Sequence, residues 1–296
     1  MSGKLKLARK KLAEGTASLV LRELKLDGLH IDPEAIATVK GILVQPRPDT
    51  AQGVSGMLVK AGDEFGIMYA TNIRSRGFQR FSIAHELGHY CIDGHAEALL
   101  TAGAHYSHAN FASHDPYEQE ADYFAAALLM PELAFRREMN RHDAGLTCIE
   151  NLAKACETSL TSTAIRYANL TRDGVAVILS KGEEIDYCFM SDGLKEAKGI
   201  TWLKKGTPIP AGTVTSRFVK QLENVRIGTR NAAECRLNDW MEGDRIYRIV
   251  EEVVGLGSYG RTLTVLTCAT LGEEPGDDDE QEDEDLAERW TPRFRR

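Results

Sequence analysis

The chain contains no long hydrophobic run. Its apolar stretches fall well short of the roughly 20 consecutive residues that a membrane-spanning helix needs, so we expect no membrane segment. Basic residues follow Met1, but Glu14 and Arg22 interrupt the apolar stretch behind them, so the start of the chain is unlike a secretory signal. We therefore expect a cytoplasmic protein.

Cysteine is scarce, and no two cysteines form a Cys-x-x-Cys pair. The 296 residues include six cysteines without the spacing of a disulfide-rich domain, which excludes that class of small secreted protein. We expect free thiols in a reducing compartment. The six lie at positions 91, 148, 156, 188, 235 and 268.

An excess of one charge is also missing from most of the chain. The net charge is −8, but residues 273–288 hold eleven Asp and Glu, and residues 289–296 hold four Arg. Residues 1–272 then carry 33 acidic and 32 basic side chains, a net charge of −1. The acidity therefore belongs to the segment 273–296, which we expect to be a disordered acidic tail with a basic and aromatic end.

Residues 81–90, Phe-Ser-Ile-Ala-His-Glu-Leu-Gly-His-Tyr, combine a helical pattern with metal-binding side chains. Residues four apart lie on one face of a helix, so His85 and His89 can present two imidazoles to one metal ion. Glu86 lies beside them and can act as the general base that takes a proton from water in a zinc hydrolase. The pattern predicts a catalytic zinc site on a buried helix.

Two histidines leave such a site one protein ligand short. His95 follows His85 by ten positions, as in the pattern H-E-x-x-H-x-x-G-x-x-H. That pattern needs a glycine where this chain has Ile92, and a β-branched residue tolerates the required turn poorly. His95 is therefore the weaker alternative.

A second helix, predicted over residues 117–130 and ended by Pro131, offers Glu118 and Glu120 in its acidic first turn. Glu118 has Asp122 one turn later on the same face. A carboxylate there can accept a hydrogen bond from the free ring nitrogen of a ligating histidine. The spacing favours Glu118 as the third ligand and leaves Glu120 as the alternative.

The chain around these helices predicts a small mixed domain. We expect an amphipathic helix over 4–24, a helix over 32–40 and strands over 41–44, 54–60 and 66–70, one of which could pair with an extended substrate. A loop of about two dozen residues, expected to lack secondary structure, follows His89. Side chains near this loop that could stabilise an oxyanion are His105, Tyr106, His108, His114 and Tyr117.

These motifs together resemble the ImmA/IrrE family of metallopeptidases. The resemblance is carried by residues 80–89, by the run Glu-Gln-Glu-Ala-Asp-Tyr-Phe-Ala at 118–125, and by Leu-Leu-Met-Pro at 128–131. It implies zinc ligands His85, His89 and Glu118, with Glu86 as the catalytic residue. Asp122 stands where Asn is commoner in the family.

The resemblance also implies a function. It implies a site-specific endopeptidase that cleaves a helix-turn-helix transcriptional repressor and so induces a stress-response or mobile-element regulon. Zinc is the expected cofactor, with manganese an alternative in the cell. The sequence does not predict an oligomeric state.

Residues 147–170 read as two helices with a break, which is the pattern of a helix-turn-helix. Arg166 is the only basic residue of the second helix, and phosphate contacts need several, so direct DNA binding is not expected. We predict instead a helical pair built into the peptidase domain.

From residue 174 onward the sequence changes to short alternating runs at 175–179, 185–190, 200–204, 245–254 and 261–268. They predict an α+β domain with an antiparallel sheet, which is similar in position and pattern to the GAF-like domain of radiation-response members of the family. The predicted organisation is a zincin-like α+β metallopeptidase domain (1–172), a second α+β domain (173–272) and the tail (273–296). The competing prediction is a non-catalytic regulator that binds DNA or protein and holds a structural metal.

Overall fold

The computed structural model describes residues 8–47, 53–108, 115–197, 199–243 and 246–268. The chain divides into two compact units after Leu170. Both units contain helices and strands, so the mixed α+β class is confirmed. The predicted tail and His114 lie outside the described residues. None of the described helices is both long and apolar enough to cross a membrane.

The first unit combines helices with a four-stranded sheet. Its helices are α1 (Lys10–Glu23), α2 (Pro33–Val39), α3 (Arg76–Cys91), α4 (His95–Leu99), α5 (Pro116–Leu129), α6 (Glu132–Met139), α7 (Leu146–Cys156) and α8 (Leu160–Leu170). Its strands are β1 (Leu43–Arg47), β2 (Val54–Ala61), β3 (Glu64–Ala70) and β4 (Ala104–His108).

The sheet has the order β1-β3-β2-β4, with β1 parallel to β3 and the other pairs antiparallel. The predicted hairpin strands β2 and β3 are both interior, so neither is free to pair with a substrate. The edges are β1 and β4. The expectation of an unstructured loop after His89 is also wrong, because α4 and β4 form within it. The run Ala-His-Tyr-Ser-His of β4 has no clear strand pattern of its own and gains its structure by pairing with β2.

Helices α3 and α5 begin at side-chain caps that the sequence encodes locally. Ser75 accepts a hydrogen bond from the Phe78 amide at the start of α3, and Asp115 accepts one from the Tyr117 amide at the start of α5. The two helices pack closely at Gly88. A Cβ added there would lie 3.2 Å from both Ala121 Cα and Phe124 Cδ1. A glycine at this position therefore lets the two site-bearing helices approach each other.

Residues 147–170 form α7 and α8, separated by a break at Glu157, whose φ of 51° is left-handed. Arg166 of α8 is 5% exposed. Its guanidinium donates to Glu14 Oε1 at 2.7 Å and to the Met130 carbonyl at 3.3 Å. The one basic residue of α8 is therefore directed into the unit.

The second unit contains an antiparallel sheet with strand order β6-β5-β9-β8-β7. The expectation of a strand at 200–204 is wrong, because no strand among the described residues pairs with it. Strand β7 was not expected, because most of its residues are exposed and lack an apolar alternation. The elements are β5 (Gly174–Lys181), β6 (Glu184–Met190), α9 (Asp192–Glu196), α10 (Val214–Val219), α11 (Leu222–Ile227), β7 (Arg230–Arg236), β8 (Arg248–Gly255) and β9 (Arg261–Cys268).

Candidate metal centre

Three side chains from α3 and α5 converge in the first unit. The Nε2 atoms of His85 and His89 lie 3.0 Å apart on one face of α3. Glu118, in the first turn of α5, brings Oε2 to 3.4 Å from His85 Nε2 and Oε1 to 3.2 Å from His89 Nε2. The spacing of four residues on one helix and the packing of the second helix at Gly88 together produce this cluster.

The donor set and its dimensions fit a divalent ion such as zinc. Tetrahedral zinc with bonds of roughly 2.0–2.2 Å places its ligand atoms about 3.4 Å apart. The separations of 3.0, 3.2 and 3.4 Å match that spacing. Two imidazoles and one carboxylate are also a ligand set used by catalytic zinc sites. His85, His89 and Glu118 could therefore hold a metal ion together.

The electrostatic environment gives the cluster one neutral imidazole and one charged carboxylate. Burial lowers the pKa of His89 to about 3, which keeps its ring neutral. Burial alone would raise the pKa of Glu118, but hydrogen bonds from His105 and His85 and the charge of His85 hold it well below its ordinary value. Glu118 is therefore a charged carboxylate among imidazoles.

Asp122 lies one turn after Glu118 and contacts the other ring nitrogen of His85. The distance between His85 Nδ1 and Asp122 Oδ1 is 2.9 Å. Because an ionised carboxylate can only accept a hydrogen bond, Nδ1 carries a proton, which leaves Nε2 as the nitrogen that could bind a metal ion. Burial lowers the pKa of His85, but hydrogen bonds to Asp122 and Glu118 outweigh it and raise that pKa well above its ordinary value, so a metal ion would displace a proton from Nε2. This contact orients His85 towards the cluster.

Glu86 is fully buried, and neither of its oxygens accepts a hydrogen bond of normal geometry from a described residue. Burial raises its pKa to about 7, while the charge of His85 and the nearby Ser107 hydroxyl act in the opposite direction. The carboxylate lies against Gly56 of β2, where an added Cβ would stand 2.5 Å from Glu86 Oε1. A buried carboxylate without partners and with a pKa near neutrality is typical of a general base.

His105, on the edge strand β4, contacts the cluster of His85, His89 and Glu118. Its Nε2 lies 2.8 Å from Glu118 Oε1, and its ring centroid is 4.7 Å from that of His89. Among the other predicted oxyanion donors that the structure describes, Tyr106 and His108 are exposed. The Tyr117 ring instead packs edge-on against His95.

The two alternative ligands, His95 and Glu120, lie outside this cluster and contact each other. His95 Nε2 is 3.0 Å from Glu120 Oε2, and Glu120 in turn accepts hydrogen bonds from Arg9. Arg9 was not expected near the site, since a single arginine more than a hundred residues away carries no local signal. The sequence does contain a sign that His95 returns towards the cluster, namely Gly94. Its φ of 83° allows the turn expected at Ile92 to occur two residues later.

Similarity to known proteins is concentrated in the first unit. Residues 37–167 match the peptidase M78 family, described as the IrrE N-terminal-like domain. A solved structure described as a Mycobacterium tuberculosis transcriptional regulator covers 88% of this chain and 77% of its own, with a TM-score of 0.54 and 17% identity. At that identity the likeness concerns the fold alone. Among curated proteins, none matches this chain in sequence. The resemblance carried by residues 80–89 and 118–131 is thus confirmed: residues 37–167 carry an IrrE N-terminal-like domain.

Proposed function

We propose that this protein is a zinc-dependent endopeptidase with metal ligands His85, His89 and Glu118 and with Glu86 as its general base. The observation that carries the proposal is the convergence of three ligand atoms within 4.8 Å of one another, two of them on the same helix as the buried Glu86 carboxylate, which accepts no hydrogen bond from a described residue. The family of residues 37–167 supports a peptidase.

Each residue has a defined task in this proposal. A zinc ion, when bound, acts as a Lewis acid towards water and a peptide carbonyl. Glu86 takes one proton of the attacking water as its oxygen bonds to the carbonyl carbon. It then delivers the proton to the nitrogen as the C–N bond breaks. His105 lies beside the cluster, where its Nε2–H donates to Glu118 Oε1 at 2.8 Å. If that oxygen binds a metal ion, the same N–H could turn to the developing oxyanion.

The proposed substrate is an extended segment of a protein, and by family resemblance a helix-turn-helix repressor. Strand β4 supports this, because it is an edge strand and carries His105 next to the cluster. The similar fold of a protein described as a transcriptional regulator is consistent with a role in transcription regulation. We propose a cytoplasmic stress-response function, with the second unit as a GAF-like sensing domain.

The competing proposal is a non-catalytic regulator that binds DNA or protein. The environment of Arg166 argues against DNA binding through α8, because a buried guanidinium paired with Glu14 cannot reach a phosphate. A structural zinc site would need a fourth protein ligand, and His95, the candidate for it, is directed towards Glu120. Both observations favour the peptidase.

The variant Glu86→Gln tests this proposal directly. The amide keeps the shape of the side chain but cannot accept the proton, so cleavage of a repressor encoded beside this protein should fall by about 10²- to 10⁴-fold. Zinc content and the thermal unfolding temperature should change little. Glu64→Gln, at an exposed glutamate of β3, is the matched control. Cleavage by Glu86→Gln at the wild-type rate would exclude the general-base assignment.

A further inference from the structure

A continuous line of polar side chains runs behind His89, on the side away from the ligand cluster. His89 Nδ1 lies 3.2 Å from His95 Nδ1, and His95 Nε2 lies 3.0 Å from Glu120 Oε2. Arg9 closes the line: its Nη2 donates to Glu120 Oε2 at 2.7 Å, and its Nε and backbone amide donate to Oε1 at 3.0 and 2.9 Å. The two rings and the carboxylate are buried, whereas the Arg9 side chain is 41% exposed.

The chemistry of these groups fixes the direction of every hydrogen bond. Several N–H groups of Arg9 point at Glu120, which favours an ionised carboxylate that can only accept. His95 must therefore place its proton on Nε2 to donate to Glu120. Its Nδ1 is then an acceptor.

The same reasoning continues to the candidate metal ligand. Because His95 Nδ1 accepts, the facing Nδ1 of His89 must carry a proton and donate it. A neutral imidazole with its proton on Nδ1 has its lone pair on Nε2, and His89 Nε2 is the atom that faces His85 and Glu118. The charge on Glu120 thus sets the tautomer of His89 through an intervening ring.

We propose that His95, Glu120 and Arg9 form a positioning relay that holds His89 in the tautomer and orientation needed to bind a metal ion. The inference rests on the proposed metal site. It assigns the two ligand histidines different supports: His85 donates directly to the carboxylate of Asp122, whereas His89 reaches the carboxylate of Glu120 through His95. Second-sphere partners of this kind raise ligand basicity and fix ring orientation.

The backbone after α3 is shaped to return His95 to His89. Gly94 adopts a left-handed φ of 83°, and the His95 amide donates to the Ile92 carbonyl at 3.2 Å. The Tyr117 ring packs edge-on against His95, with centroids 4.9 Å apart. The backbone turn and the Tyr117 ring thus restrict the His95 ring in addition to its hydrogen bonds.

A different role for the same contacts is to attach α1 to α5 through the Arg9–Glu120 ion pair. The chain offers a matched control for that role, because Glu14 of α1 also forms an ion pair, with Arg166 of α8. Glu14 has no described contact with His89, His95 or Glu120. If these ion pairs only attach α1 to its neighbours, Glu120→Gln and Glu14→Gln should both lower the unfolding temperature. A loss of metal affinity should be specific to Glu120→Gln.

The experiment measures the zinc dissociation constant of the full chain by competition with a chromophoric chelator, together with thermal unfolding. Both oxygens of Glu120 accept hydrogen bonds, from Arg9 and from His95, so the NH2 of a glutamine must face one of these donors, unlike an asparagine at position 122. We therefore expect Glu120→Gln to bind zinc about 10- to 100-fold more weakly than wild type, and Glu14→Gln to bind it equally well. Arg9→Met, at a half-exposed position that should not disturb folding, should weaken binding in the same direction. Long-range ¹H–¹⁵N spectra of the histidine rings should show His95 protonated on Nε2 in wild type and a mixture of tautomers in Glu120→Gln.

The outcomes separate the relay from the proposed function. Wild-type zinc affinity in both Glu120→Gln and Arg9→Met would overturn the relay, whatever happens to the unfolding temperature. If Glu120→Gln does not fold, Arg9→Met and the tautomer of His95 in wild type decide the question. A wild-type chain that binds no zinc would instead remove the proposed metal site itself.

Discussion

Glu86 depends on a residue that has no side chain of its own. Gly56 of β2 lies so close to the carboxylate that an added Cβ would stand 2.5 Å from Oε1 and 3.1 Å from Cγ. The backbone at Gly56 does not adopt a positive φ. Glycine is therefore needed because a side chain would collide with Glu86, and not because of the backbone conformation. The position of the Glu86 carboxylate, the proposed general base, is therefore set by the sheet as well as by its own helix.

Gly56→Ala should move the Glu86 carboxylate while leaving the proposed metal ligands His85, His89 and Glu118 in place. A displacement of about 1 Å at a catalytic group can reduce turnover roughly 10²-fold. We expect cleavage to fall by that order with zinc content unchanged. Gly28→Ala is the control, since nothing lies within 4 Å of its added Cβ. Full cleavage by Gly56→Ala would show that Glu86 can act from another position.

Asp122 supports His85 through one hydrogen bond, and that bond requires an acceptor but not a charge. Asp122→Asn can still present an amide oxygen to His85 Nδ1, so zinc affinity should stay close to wild type. Asp122→Ala removes the acceptor and should weaken zinc binding by about 10- to 100-fold. Chelator competition measures both. Equal affinity in all three proteins would mean that His85 needs no partner at Nδ1.

At the scale of whole elements, the site depends on the close packing of α3 against α5. Gly88 faces the backbone of Ala121, which cannot move away as a flexible side chain could. Glu118 lies three residues before Ala121 on the same helix. A change in the spacing of the two helices is therefore transmitted to the third member of the cluster.

Gly88→Ala should separate the helices at this contact. Alanine favours a helix over glycine by about 1 kcal/mol, but overpacking a close contact typically costs about 1–3 kcal/mol, so we expect net destabilisation together with weaker zinc binding. Gly15→Ala, in α1 with nothing within 4 Å of the added Cβ, should instead stabilise the protein by up to about 1 kcal/mol. Denaturant unfolding measures the stability of the Gly88→Ala and Gly15→Ala variants, and chelator competition measures their zinc affinity. A stabilising effect of Gly88→Ala would contradict the packing argument.

The elements that sequence reasoning identified are those with local signals. Asp32 caps α2 as expected, with its side chain accepting from the Glu34 and Ala35 amides. Strands β4 and β7 have no such signal, because their structure comes from pairing with other strands. The stretch 200–204 shows the opposite case. Its sequence has an apolar pattern, but no strand within the described part of the chain pairs with it.

The choice between Glu118 and Glu120, within one turn of α5, also depends on contacts that the local sequence does not encode. Two residues apart on a helix project in nearly opposite directions, so only one of them can face α3's histidines. The sequence favoured Glu118 through Asp122 but contained no sign of what Glu120 contacts. Its partner Arg9 lies 111 residues away, and such a pair is determined by the fold.

For the whole molecule, the division after Leu170 places every member of the candidate centre and of the relay in the first unit. A ligand that binds only the folded state stabilises the unit that contains its site. Metal binding should therefore be visible as a selective change in the unfolding of the first unit.

Adding zinc to the full chain should raise the unfolding temperature of the first unit. At a free zinc concentration of 100 times the dissociation constant the gain is about 2.7 kcal/mol, or roughly 5–10 °C for a unit of this size. A chelator should reverse the shift. His89→Ala and Glu118→Ala should show no shift because each removes one of the three ligand atoms, whereas Glu64→Gln should behave like wild type. Scanning calorimetry with and without zinc measures the effect, and an equal shift in His89→Ala would place the bound zinc elsewhere in the chain.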